Sequence, residues 1–174
     1  MHQRLSTVLV AALTVSLAAC TGFTGVKGSK KISELSADER KEVCENSAAH
    51  FEEEIGAERI KRFGCVTASA ISVALSGGGV PECEAAVDLC LMMATTDGGT
   101  TTCDVDGDPS CEATIEEYEA CAEENIASLR AFYDGYTCEV ALSGSGGEMP
   151  AAGPECMALA QKCPGLFSNQ GEGA

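Results

Sequence analysis

Ser36-Ala37-Asp38-Glu39-Arg40-Lys41-Glu42-Val43-Cys44-Glu45-Asn46-Ser47-Ala48-Ala49-His50-Phe51-Glu52-Glu53-Glu54-Ile55 reads as the start of a long helix. Ser36 and Glu39 form a capping box: the serine oxygen takes a free backbone N–H, and the glutamate reaches back to the serine N–H. Cys44, Ala48, Phe51 and Ile55 then recur at helical spacing, which puts one sulfur on the apolar face. Ile60 and Phe63 extend the stripe, and Gly64 is placed to cap it. Glu52-Glu53-Glu54 lies beside the stripe as a solvated face. Thr114-Ile115-Glu116-Glu117 repeats the capping box. Ile115, Tyr118, Ala122, Ile126, Leu129 and Phe132 or Tyr133 make its stripe, Cys121 lies beside it, and Gly135 ends it.

Between these helices, 65–75 is small and β-branched, compatible with a second short helix or an extended segment. Gly77-Gly78-Gly79 breaks it. Pro81 is suited to a first helical turn, and a helix from there to about Ala94 carries Cys83, Val87 and Cys90. Apolar on several sides, with Leu89, Leu91, Met92 and Met93, it is expected to be the most buried helix. Residues 95–109 read as a Thr/Gly/Asp loop and 143–153 as a Gly-rich one. Pro154 opens a short helix with Cys156, Leu159, Ala160 and Cys163, and Pro164-Gly165 stops it. No strand pattern of useful length occurs, so the expected fold is all-α.

Composition asks for cross-links. The chain has 174 residues, no Trp and only 5% aromatics, and much of its apolar content is Ala, Val and Cys. Such side chains fill little volume, so the core alone is weak. Eleven cysteines are present. Setting Cys20 aside, Cys44, Cys65, Cys83, Cys90, Cys103, Cys111, Cys121, Cys138, Cys156 and Cys163 are an even set that reads as five disulfides in an exported chain.

Export is indicated at the N-terminus. Met1-His2-Gln3-Arg4 is a short basic region, and 5–17 is mostly apolar but too short to span a bilayer, which takes about 20 residues. Leu17-Ala18-Ala19-Cys20 then matches in full, and resembles, the lipobox of bacterial lipoproteins. The resemblance implies a signal peptide over 1–19 and a diacylglyceryl thioether on Cys20. It also implies cleavage before Cys20 and acylation of the new amino group by a fatty acid such as palmitate. Thr21, where an Asp would favour retention at the inner membrane, points to the outer membrane. Several acyl chains, at about 0.8 kcal/mol per buried CH₂, make a stable membrane anchor. Residues 20–33 are then expected to be the lipidated Cys and a flexible Gly/Lys/Thr/Ser stalk, 34–168 the helical domain and 169–174 a polar tail.

Net charge is −16, and loss of Arg4 with the leader makes it one unit more negative. That excludes nucleic acid as a partner and disfavours anionic lipid. The one basic cluster, Lys27, Lys30 and Lys31, has two readings: a contact with anionic headgroups, or part of a plain linker.

Cysteine intervals suggest an internal repeat. Cys65 to Cys83 equals Cys138 to Cys156, and Cys83 to Cys90 equals Cys156 to Cys163; Pro-Glu precedes Cys83 and Cys156. The domain thus reads as two copies of a long-helix/short-helix unit. Cys83 and Cys90 are too far apart along one helix to bond each other, so each must reach another segment, as must Cys156 and Cys163. If equivalent cysteines pair equivalently in each half, a natural arrangement joins Cys65–Cys83, Cys44–Cys90, Cys138–Cys156 and Cys121–Cys163. Cys103–Cys111 would then close the acidic loop. A bond between the halves, such as Cys44–Cys121, is the alternative. Beyond the leader, Cys44, Cys65, Cys83, the stretch Cys111-Glu112-Ala113-Thr114-Ile115 and Glu119-Ala120-Cys121 resemble uncharacterised cysteine-rich helical lipoproteins that some bacteria encode in many copies. That resemblance implies a class and no activity.

Few residues carry legible chemistry. His50 is the only histidine after the leader and, beside Phe51, reads as a packed structural residue. Phosphate loops, a G-x-S-x-G turn and Cys-x-x-Cys pairs do not occur. Glu116-Glu117 and Glu123-Glu124 read as solvation of a helix surface. Asp104, Asp106 and Asp108, with Glu112, are a candidate hard-cation loop. They depart from the EF-hand pattern at Gly107 and at Ile115, and an acidic turn is the simpler reading. No metal or other cofactor is expected. The expected function is a lipid-anchored cell-envelope protein with a non-enzymatic binding or structural role, facing the periplasm or exterior, with an envelope protein as partner. An exported enzyme or a calcium-dependent binding module are the alternatives.

Overall fold

The computed structural model describes residues 21–94, 103, 109–144 and 149–167. The signal peptide expected over 1–19, Cys20, the candidate cation loop at Asp104, Asp106 and Asp108, and the expected tail over 169–174 lie outside the described residues.

The fold is all-α. A 3-10 turn at Ile32–Glu34 leads into α1 (Ala37–Ile55), α2 (Ala57–Ser76), α3 (Val80–Met93), α4 (Ile115–Gly135), α5 (Cys138–Ser143), α6 (Pro154–Lys162) and α7 (Pro164–Phe167). Both expected capping boxes form. Ser36 accepts from the Glu39 N–H (3.3 Å) and donates its own N–H to the Glu39 carboxylate (2.9 Å), and Thr114 and Glu117 repeat the exchange. Each box satisfies two donors that the first turn of a helix otherwise leaves free.

The first helix ends earlier than its pattern predicts. Gly56, at φ 76° and ψ 139°, closes α1 and opens α2, while Gly64 lies inside α2. The stripe Cys44-Ala48-Phe51-Ile55 and the residues Ile60 and Phe63 thus belong to two helices meeting at a glycine corner. The ambiguous 65–75 segment is the continuation of α2, which ends at Gly77 in the left-handed region, φ 74°. Burial is also redistributed. On α3 only Cys83 and Val87 are buried, and Met92 and Met93 are 75% and 76% exposed. The most buried helix is α2, with Cys65, Val66, Ser69, Ala70 and Val73 inside. An apolar count around a helix does not say which side has a partner. Among the described residues α3 packs chiefly on α2 and α5.

α1 and α4 lie side by side and run in the same direction. Ser47 meets Tyr118, His50 meets Glu123 and Glu54 meets Arg130, so the partners advance together along both helices. Parallel neighbours cannot be joined by a tight turn. The chain instead turns at Gly56 and returns through α2 and α3. Half the chain's aromatic rings gather at the far end: Phe63 lies 4.7 Å from Tyr136, 5.2 Å from Tyr133 and 5.6 Å from Phe132 between centroids.

All ten expected cysteines are paired, but none of the five expected pairs forms. The bonds are Cys44–Cys103, Cys65–Cys90, Cys83–Cys138, Cys111–Cys163 and Cys121–Cys156, with Cα–Cα separations of 4.3–5.9 Å. The physical reason is helix length. Because α2 is helical throughout, α2 and α3 form an antiparallel pair about the Gly77-Gly78 turn. Cys65 and Cys90 stand equally far on either side of that turn, so they meet. Cys83, near the turn, is fully buried and bonds Cys138 of α5. The pairing is not repeated between halves: Cys121–Cys156 would require Cys44–Cys83, which is not formed, and Cys83–Cys138 joins the two halves. Packing differs as well, since α3 lies on α2 whereas α6 lies on α4. The bonding and packing expected of two equivalent units are therefore absent.

The sulfurs fill the cores. One cluster joins Val26, Ile32, Leu35 and Val43 to Cys111, Ile115, Cys121, Cys156, Leu159 and Cys163. The other joins Cys65, Val66, Ala70 and Val73 of α2 to Cys83, Val87 and Cys138.

Candidate functional site

The segment expected to be a flexible stalk is folded. Thr21 pairs with Lys27 and Lys31 with Thr114 in isolated antiparallel bridges. The Ile32 N–H donates to the Ala113 carbonyl (2.9 Å). The N–H groups of Ile115 and Glu116 donate to the carbonyls of Lys30 (2.9 Å) and Gly28 (2.8 Å). The N-terminal segment therefore caps the start of α4 and closes the first core, where Val26 is buried. Thr and Gly content suggests a loose linker only when no surface is available to pair with it.

Thr24 is the pivot. It is fully buried, and both its N–H (3.1 Å) and its hydroxyl (2.6 Å) donate to Glu119 Oε1. Asn46 Nδ2 donates to its carbonyl at 2.9 Å. A buried polar group must be paired or cost about 1–3 kcal/mol, and here both of its donors rest on one carboxylate. A Cβ at Gly22 would meet that same carboxylate, so a larger residue there would have to displace the Glu119 side chain.

His50 is engaged on two sides. Its ring stacks on Phe23 (centroids 4.3 Å apart, planes 14° apart), and its Nε2 lies 2.7 Å from Glu123 Oε1. It joins the N-terminal segment, α1 and α4, which is the packed structural role expected of it.

Two basic residues of the expected cluster are neutralised within the fold. Lys30 bonds both oxygens of Glu39 at 2.6 and 2.7 Å, and Lys31 pairs with Glu112. The Lys30 ammonium, aided by the Ser36 N–H and hydroxyl, holds the Glu39 carboxyl down at about 2. The Glu112 carboxylate raises Lys31 above its ordinary value. Lys27 is exposed and makes no ion pair among the described residues. Glu112, offered as a cation ligand, is thus committed to Lys31, while Asp104, Asp106 and Asp108 lie outside the described residues. Among the described residues no group of three His, Cys, Asp or Glu is poised for a metal ion.

The acidic pairs on α4 do more than solvate a surface. Glu117 bonds Lys162 of α6, which with the Thr114 N–H lowers its carboxyl below the usual range. Glu124 accepts from the N–H groups of Glu155 (3.0 Å) and Cys156 (3.2 Å), capping α6 from another helix. Glu54, read as part of a solvated face, pairs with Arg130. Nothing in the local pattern separates these glutamates from solvating ones; only the neighbouring helices do.

No protein-family model, no curated protein and no solved structure matches the chain. No described helix is long and apolar enough to cross a membrane.

Proposed function

We propose that this protein is a lipid-anchored component of the bacterial cell envelope, held through Cys20 after removal of residues 1–19 and acting by binding or structural interaction rather than catalysis. One observation carries the proposal. The five disulfides use ten of the eleven cysteines, and the one left over is the Cys that ends the lipobox-like Leu17-Ala18-Ala19-Cys20. An odd thiol in an exported, disulfide-rich chain calls for its own chemistry. Thioether formation by a diacylglyceryl group supplies it. Five bridges suit an oxidising compartment outside the cytoplasm.

The non-catalytic part rests on how the ionisable groups are used. His50, Glu117, Glu119, Glu123 and Glu124 each hold one element of the fold to another. Each of these contacts accounts for its ionisable group as a structural tie, with no substrate required.

The test is Cys20→Ser. The variant should leave the detergent phase on phase separation and accumulate with its leader uncleaved. Normal processing together with undiminished membrane retention would overturn lipidation.

A further inference from the structure

We infer that the domain sits directly on the bilayer that carries its anchor, with Thr21 and Lys27 in the headgroup layer and no spacer between. This rests on the lipidation of Cys20 proposed above. Thr21 follows Cys20 by one peptide bond, so their Cα atoms are about 3.8 Å apart. Thr21 already pairs with Lys27, and Thr24 is fully buried against Glu119. An extended stalk over 21–31 would let the domain stand about 40 Å from its anchor. The folded segment provides none of that reach. The polar layer outside the hydrocarbon is only about 5–7 Å thick on each side. An acylated Cys20 at its base therefore places Thr21 and the surface around it inside the layer.

The chemistry of that surface agrees. Bridge partners have Cα atoms about 4.5–5.5 Å apart, so Lys27 is beside the attachment point. Its exposed ammonium is uncommitted among the described residues, whereas Lys30 and Lys31 are already paired with Glu39 and Glu112. The group it meets is the phosphate of a lipid headgroup. That contact adds to the anchor without replacing it. The segment lies along the first turns of α4: Gly28 and Lys30 meet residues 115 and 116, Thr24 meets Glu119, and Phe23 stacks on His50, which meets Glu123.

The experiment compares the lipidated protein with a version carrying about ten Gly/Ser residues after Cys20, a spacer of about 17 Å root-mean-square length. Both are reconstituted into phosphatidylcholine vesicles. In the native junction, Lys27 should be shielded from a water-soluble amine-acylating reagent, and the spacer should restore its labelling. The chain has no Trp, so Ser29→Trp in each version gives a single depth probe at an exposed position. Its emission should be quenched by lipids brominated high on the acyl chain only without the spacer, with unchanged far-UV circular dichroism confirming the fold. Vesicle-bound protein whose Lys27 is labelled equally with and without the spacer, or whose Trp is quenched equally in both, would overturn the seat while leaving the anchor standing. Protein that fails to float with vesicles would overturn the anchor, and the seat with it.

Discussion

Buried Thr24 directs its backbone N–H and its hydroxyl to the same oxygen of Glu119, 95 residues away in sequence. This places the two ends of the first core under one polar contact. It joins the N-terminal segment to the first half of α4, next to Cys121 and its bond to α6. The N-terminal segment is therefore part of the domain.

Glu119→Ala should remove the acceptor and leave two buried donors unpaired, costing about 1–3 kcal/mol of stability. Glu119→Gln keeps a carbonyl oxygen at the position and should cost less. Thermal unfolding measures both, and trypsin cleavage after Lys27 reports whether the segment has loosened. An unaltered melting temperature in the alanine variant would show that the pairing does not hold the segment.

Gly56 and Gly64 should respond in opposite directions to alanine. Gly56 has φ 76°, in a region that L side chains avoid, so Gly56→Ala should destabilise by about 1–3 kcal/mol. Gly64 lies in the interior of α2 with nothing within 4 Å of an added Cβ, so Gly64→Ala should stabilise by about 0.5–1 kcal/mol. Denaturant unfolding of the two variants decides where the long helix breaks. Loss of stability at Gly64 would argue for a helix end there.

Acid should weaken the junction through Glu39. Its folded-state pKa of about 2 lies below the ordinary 4.5, so its contribution is present in full above 4.5 and is lost as pH falls through about 2. Glu117 and Glu82, lowered by Lys162 and by the Gly79 N–H respectively, act in the same sense. Melting temperature measured over this window should fall less steeply in Glu39→Gln than in the unsubstituted protein. Lys30→Ala, which removes the largest cause of the shift, should flatten the profile similarly. Parallel profiles for all three proteins would refute the linkage.

What could be read from the sequence was what is encoded within a few residues. The capping boxes at Ser36 and Thr114, the stop at Gly77, the helix start at Pro154 and the all-α class are such features, because a helix terminus is a local hydrogen-bonding problem solved by residues three positions apart. The use of ten cysteines in pairs followed from their even number after Cys20. Which sulfurs pair was decided by tertiary structure. Cys65 meets Cys90 only because α2 runs unbroken from Gly56 to Gly77, and the equal cysteine intervals suggested a symmetry that packing does not keep. The same holds for the glutamates: Glu119, Glu123 and Glu124 are chemically alike and adjacent, and only the positions of Thr24, His50 and α6 give each its partner. A Gly/Lys/Thr segment such as 21–31 carries no periodicity to announce a fold. Its order comes from backbone groups that find donors and acceptors on residues 113–116, a match between distant parts of the chain that no local pattern records.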